Sequence, residues 1–220
     1  MSLHALARYI KADARTRRRI IHDQKYPADF QTVYYQPARA AICEFICSSF
    51  ADMEAIVKVI ESLHSRPANN DYESHRWPNN VEAIEAFLEV HEELDLQSLQ
   101  PRSMHTDLPK LSIGGVVLSV FPEIALRGRH KKASKAAGGI ALMFSKDDRF
   151  GLDDHSGKAS AHLVQQLVGE VFADREAVPA ACSVIDVFGG SQYCAPTTSK
   201  RLREEIALAC DEIAHTWPYV

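Results

Sequence analysis

Apolar residues along this chain first change their spacing near residue 100. Before it the repeat is helical. Leu3, Leu6, Tyr9 or Ile10, and Ile20 or Ile21 mark one face of a helix over residues 3–22. Pro27 stops it, because a proline biases the residue before it away from helical geometry. The connector FQTVYY reads as a brief strand. Pro37 suits a first helical turn, where its missing N–H costs nothing. Ile42, Phe45, Ile46, Phe50, Met53, Ile56, Val57, Ile60 and Leu63 then follow a helical repeat. They predict one helix of about 28 residues, roughly 42 Å long, or two helices if Asp52 caps the second. The segment 65–80 is polar and carries two prolines, so it predicts a long loop, pinned to the core by Trp77. Asn79 or Asn80 is the expected cap of the next helix, whose buried face is Val81, Ile84, Leu88, His91 and Leu94.

Residues 95–110 are mostly polar, with Pro101 and Pro109, and mark the expected boundary. Beyond it the pattern becomes strand-like. Gly114-Gly115 suggests a bulge, and Val116 to Phe121 is apolar on both faces, as in a strand covered from both sides. Ile124 and Leu126 are expected to pair with Ile140, Leu142 and Phe144 across a hairpin whose tip is GRHKKASKAAG. Ser156 is the expected cap of a helix burying Leu163, Val164, Leu167, Val168, Val171 and Phe172. CSVIDVF predicts a central strand, turned by Gly189-Gly190 into a short partner, QYCA, and a last helix starts near Ser199. The expected architecture is α/β of the α+β kind: a helical region over 1–100, then a small mixed sheet with flanking helices over 101–220, in the order β-β-β-α-β-β-α, the two forming separate regions or one continuous domain.

Composition adds little to this frame and charge adds more. Of 220 residues, 46% are hydrophobic and 25% charged, with a mean hydropathy of −0.20, as in an ordinary globular protein. No apolar run approaches the length that spans a bilayer, and the first residues do not read as a secretory signal. Five scattered cysteines make no disulfide framework, so a reducing cytoplasm is expected. Cys43 and Cys47 lie one helical turn apart and read as small core residues rather than metal ligands. The net charge is −4, yet it is segregated. Between Arg8 and Lys25 there are seven Lys or Arg against two Asp, and between residues 81 and 95 there are six acids and no Lys or Arg.

The chemistry is sparse. There is no glycine-rich nucleotide loop and no nucleophile elbow. Neither a metal nor a cofactor is expected. The element order resembles the α-β-β-β-α-β core of the PD-(D/E)XK nuclease-like fold, in topology alone. That resemblance implies an acid near the second strand and an acid-x-lysine on the third, binding a divalent metal that activates water. Pro122-Glu123 resembles the first element. The second is missing, since Gly-Ile-Ala-Leu-Met-Phe carries neither group and Phe144 stands where an acid should precede Lys146. Asp186, inside VIDVF, needs a partner or a polar cleft, because isolated burial of a carboxylate costs several kcal/mol. Glu123 and Asp186 are thus the candidate catalytic residues of a degenerate hydrolase.

The basic segments 8–25 and 127–135 suit phosphate backbones better. Arg17, Arg18, Arg19, Arg127, Arg129, Lys131, Lys132 and Lys135 are the candidate nucleic-acid contacts. The competing expectation is that the Glu82–Glu92 stripe docks on the hairpin and neutralises it, within the chain or across a dimer. A non-catalytic homodimer, joined through the long helix, is the alternative to a nucleic-acid partner.

Overall fold

A computed structural model describes residues 1–27, 34–131, 133–147 and 150–220. In chain order the helices α1 (Leu3–Lys11), α2 (Ala14–Lys25), α3 (Gln36–Cys47), α4 (Met53–His64) and α5 (Asp71–Val90) come first. Strands β1 (Gln100–Ser103), β2 (Leu111–Ile113), β3 (Val116–Leu118), β4 (Ile124–His130) and β5 (Ala133–Met143) follow. Then come α6 (Asp154–Val171), β6 (Glu176–Asp186), β7 (Ser191–Cys194) and α7 (Lys200–Thr216). Five strands form one mixed sheet in the order β1-β4-β5-β6-β7, and β2-β3 form a small separate one. All pairs are antiparallel except β5 with β6. A parallel pair needs a crossover, and α6 supplies it.

The expected hairpin holds, with Ile124 opposite Ile140 and Leu126 opposite Gly138. Alternate residues then fill two cores, because successive side chains on a strand point to opposite faces. Ala125, Ala137, Ala141 and Val184 pack with Leu6 and Tyr9 of α1, Ile20 and Ile21 of α2, Leu163, Leu167 and Val168 of α6, and Ile206 and Ile213 of α7. Ile124, Leu126, Ile140, Leu142 and Ile185 pack with Ile42, Phe45 and Ile46 of α3, Ile56 and Leu63 of α4, and Trp77, Ile84 and Phe87 of α5. Helices from the first hundred residues therefore cover both faces of a sheet made by the second half. Each fully buried Leu or Ile contributes about 2 kcal/mol to that arrangement.

Several local expectations give way to caps and tertiary contacts. The helix over 3–22 breaks at Ala12, where Asp13 accepts the Thr16 N–H and starts α2. The 37–63 stretch is two helices rather than one. Ser49 and Phe50 take positive φ of 57° and 63°, and Asp52 accepts the Ala55 N–H at 3.1 Å to cap α4. The break turns the Phe50 ring back onto Phe45 and His91. Most of the expected 65–80 loop is helix: Asn70, not Asn79 or Asn80, caps α5, and Pro78 lies inside it. Trp77 is buried there, with Arg66 and Arg76 over its ring. Asn80 is wholly buried and ties elements together, accepting the Ala38 N–H and donating to Tyr34 O and Arg76 O.

The expected boundary segment contains an edge strand, β1. Gly114-Gly115, with φ of +53° and +75°, make the turn between β2 and β3 rather than a bulge, a conformation that glycine adopts without steric cost. The strand there is short, and Val117 and Phe121 are exposed at 53% and 41%, so it is not covered on both sides. Asp153 caps α6, with Ser156 as the reciprocal member of a capping box. Of the FQTVYY connector, residues 30–33 lie outside the described residues and Tyr34-Tyr35 form a turn. Among the described residues no helix is long and apolar enough to cross a membrane.

Candidate functional site

Three places could carry function: the carboxylates at the strand ends, the basic arm of α1–α2, and the β4–β5 hairpin. The strand ends come first because β5 and β6 run parallel, and crevices outside such ends are where open α/β sheets bind ligands. Glu123 stands just before β4, with its side chain 9% exposed. It accepts the Leu142 N–H at 2.8 Å and is bonded to the Arg39 guanidinium, which also donates to Leu142 O at 3.2 Å. The ion pair thus replaces the main-chain rung that β4, not yet begun, would have offered Leu142. Arg39 also lies over the Phe144 ring, 4.7 Å from its centroid.

Asp186 ends β6 and is 2% exposed. One carboxylate oxygen accepts the Leu152 N–H at 2.8 Å and the other the Gly189 N–H at 3.1 Å. Its partners are backbone donors, and it fastens the segment before α6 to the β6–β7 turn. Neither carboxylate is left waiting for a ligand. Among the described residues no three His, Cys, Asp or Glu side chains converge in a metal-binding group. Cys43 and Cys47, half-buried, line a groove of about 530 Å3 beside β1 with Arg102. Burial pushes the Cys43 thiol up to about 12 and raises Cys47 as well, so both stay protonated at neutral pH.

Near Glu123 lies a cluster that sequence spacing does not reveal. His4 is pushed down to about 4, first by burial and then by Arg8, Lys11 and Arg39. Arg8 lies 4.1 Å over the Phe150 ring, and Lys11 donates to Gly151 O. Cations from α1 and α3 therefore brace the chain that leaves β5. Arg39 is 84 residues from Glu123 in sequence, and no periodicity links them.

The arm's arginines divide. Arg17 bonds Glu212 at 2.9 Å, donates to Tyr9 O and Ile10 O, and stacks on the Tyr9 ring. Lys25 donates to Trp217 O and Val220 O. These side chains join α1 and α2 to α7 and to the residues that follow it. Arg18 is exposed and donates to Tyr219 O at 3.3 Å, and exposed Arg19 lies 3.9 Å from Asp23.

The hairpin presents its charge outward. β1 begins opposite Arg127 and β6 begins opposite Ala136. Beyond the Gly128–Ala136 pair the two strands therefore pair only with each other, extending as a two-stranded ribbon about 10 Å beyond the neighbouring strands. Arg127 is half-buried, 4.4 Å over the Phe172 ring. Arg129 and Lys131 are exposed, and among the described residues no carboxylate lies within ion-pair distance of either. Lys135 stands 3.6 Å from Asp174, with both side chains about two-thirds exposed, a contact worth about 0–1 kcal/mol. Lys132 lies outside the described residues.

The acidic stripe is elsewhere. Glu82 pairs with Lys146, while Glu85, Glu89, Glu92 and Glu93 are exposed on α5 and the turn after it. Within the chain it makes no ion pair with the described hairpin cations. The hairpin is accordingly the candidate site. Comparison with known proteins finds no family model that matches the chain and no curated protein similar to it.

Proposed function

We propose that this is a cytoplasmic, nucleic-acid-associated protein that contacts phosphates through the β4–β5 hairpin. The observation that carries the reading is the outward, uncompensated charge of Arg129 and Lys131 at the end of a ribbon with no acidic residue between 124 and 146. A surface cation without an internal partner keeps its field for a polyanion. Arg127 and Lys135 add to that field from the same ribbon, and Arg18 and Arg19 from the arm are secondary contacts. Arg17 is placed for structure. The cysteines are free thiols, which fits a reducing compartment.

Binding of a labelled oligonucleotide, followed by fluorescence anisotropy across a salt series, tests the reading. Log affinity is expected to fall linearly with log salt, and Arg129→Ala with Lys131→Ala to lower that slope by roughly two, about one per lost phosphate contact. No binding at low salt would overturn it, as would binding that the double variant leaves unchanged.

A further inference from the structure

The two edges of the main sheet are built differently, and hydrogen-bond directions show which main-chain groups face outward. On β1, the Met104 N–H donates to Glu123 O at 2.8 Å. By the two-residue alternation of an antiparallel pair, Gln100 and Arg102 also face β4, while positions 101 and 103 face away. Position 101 is proline, which has no N–H to offer and is one of the ways edges are blunted. On β7, the Ala195 N–H donates to Cys182 O at 2.8 Å. Ser191 and Tyr193 therefore face β6, and the N–H and C=O groups of Gln192 and Cys194 face outward. Among the described residues none of those four groups has a hydrogen-bond partner. β7 carries neither proline nor a charged side chain.

We propose that β7 is the seam of a homodimer, pairing antiparallel with β7 of a second copy about a two-fold axis through Tyr193. The edge matches itself in that register, as a two-fold interface requires. Gln192 lies opposite Cys194 of the partner subunit, and the two exchange both N–H···O=C bonds; symmetry repeats the pair on the other side of the axis, for four bonds in all. The next outward pair sets Gly190 against Pro196 of the partner subunit, and the proline ends the ladder. β7 itself brings no charged side chain to the axis; Asp95, whose N–H donates to Gln192 Oε1 at 3.2 Å, flanks the strand. This seam is at the opposite edge of the sheet from β1 and does not depend on the phosphate reading.

Cross-linking tests both the dimer and its register. Residues exchanging two main-chain bonds have Cα atoms about 5.5 Å apart, inside the range that a disulfide spans. Gln192→Cys is expected to give a covalent dimer on mild oxidation, whereas the wild type and Gln192→Cys/Cys194→Ser give none. Sedimentation is expected to show a wild-type dimer. Gln192→Pro removes an outward N–H and leaves the main-chain pairing with β6 intact, losing only the side-chain bonds to Ser183 Oγ and the Asp95 N–H, and is expected to give a monomer with unchanged circular dichroism. The proposal is overturned by a wild type that stays monomeric at its highest soluble concentration, or by cross-linking that persists without Cys194. A Gln192→Pro variant that folds and remains dimeric has the same force. Should that variant misfold, the cross-link still decides.

Discussion

His4 shows what a single half-buried side chain imposes on the whole fold. Its folded value of about 4 lies below the ordinary 6.5, owing to burial and then to Arg8, Lys11 and Arg39. Between those values the unfolded chain binds the proton more readily. Stability is therefore full above about pH 6.5 and is lost as the pH falls toward 4, by up to about 3 kcal/mol at ~1.4 kcal/mol per pH unit. Melting temperatures measured from pH 7 to 4 are expected to show this decline, and His4→Gln to flatten it. Glu123 makes a second residue-scale prediction. Its removal leaves the Arg39 guanidinium, 38% exposed, and the Leu142 N–H without their acceptor. Glu123→Ala is expected to cost about 2 kcal/mol in urea unfolding, less than for a fully buried pair because Arg39 still meets water. Glu123→Gln, which keeps an acceptor for Leu142, is expected to cost about half as much. In the sequence Glu123 stands out only through a topological resemblance and Asp186 as a carboxylate needing a partner or a cleft; the folded chain shows their partners to be an arginine and backbone N–H groups.

At the scale of elements, helix ends and turns depend on short-range chemistry that sequence patterns expose unevenly. Asp52 is a visible cap, and the helix does restart there. Ser49 and Phe50 give no comparable signal, since neither favours positive φ. Holding a residue other than glycine in that region costs about 1 kcal/mol, and the Phe50 ring contacts offset it. Ser49→Gly is expected to stabilise by roughly 0.5–1 kcal/mol, read as a raised denaturation midpoint. Gly157 illustrates the opposite constraint. A Cβ there would sit 2.3 Å from the Tyr193 ring, and Tyr193 also donates from its hydroxyl to Leu152 O. Gly157→Ala is expected to displace β7 from α6 and cost about 1–3 kcal/mol, the usual range for overpacking.

For the whole molecule, the two cores explain why a division near residue 100 is easy to see in the pattern yet does not mark a gap in packing. Leu6, Tyr9 and Ile21 belong to the core on one face of the sheet, and Ile42, Phe45 and Ile84 to the core on the other. A fragment comprising 101–220 would lose every helix over one face and α1 and α2 from the other, which keeps only α6 and α7. It is expected to unfold without a cooperative transition, while the full chain melts in one step by calorimetry. Charge is organised at the same scale. The net value of −4 hides an acidic helix and a basic ribbon with no ion pair between their described residues, and that segregation carries the proposed phosphate contact.

The sequence by itself determined the α+β class, the β4–β5 hairpin, the central β6 with its short partner, and the segregation of charge. Each rests on periodicity or composition, which act over a few neighbouring residues. Only the tertiary structure decided that the 65–80 stretch is mostly helical around a buried Trp77, that β1 completes the sheet edge, and that Arg17 braces helices while Arg129 faces water. Those outcomes depend on groups far apart in the chain, as with Arg39 and Glu123 or Arg17 and Glu212. The free energy of such a contact exists only once folding has brought its two ends together.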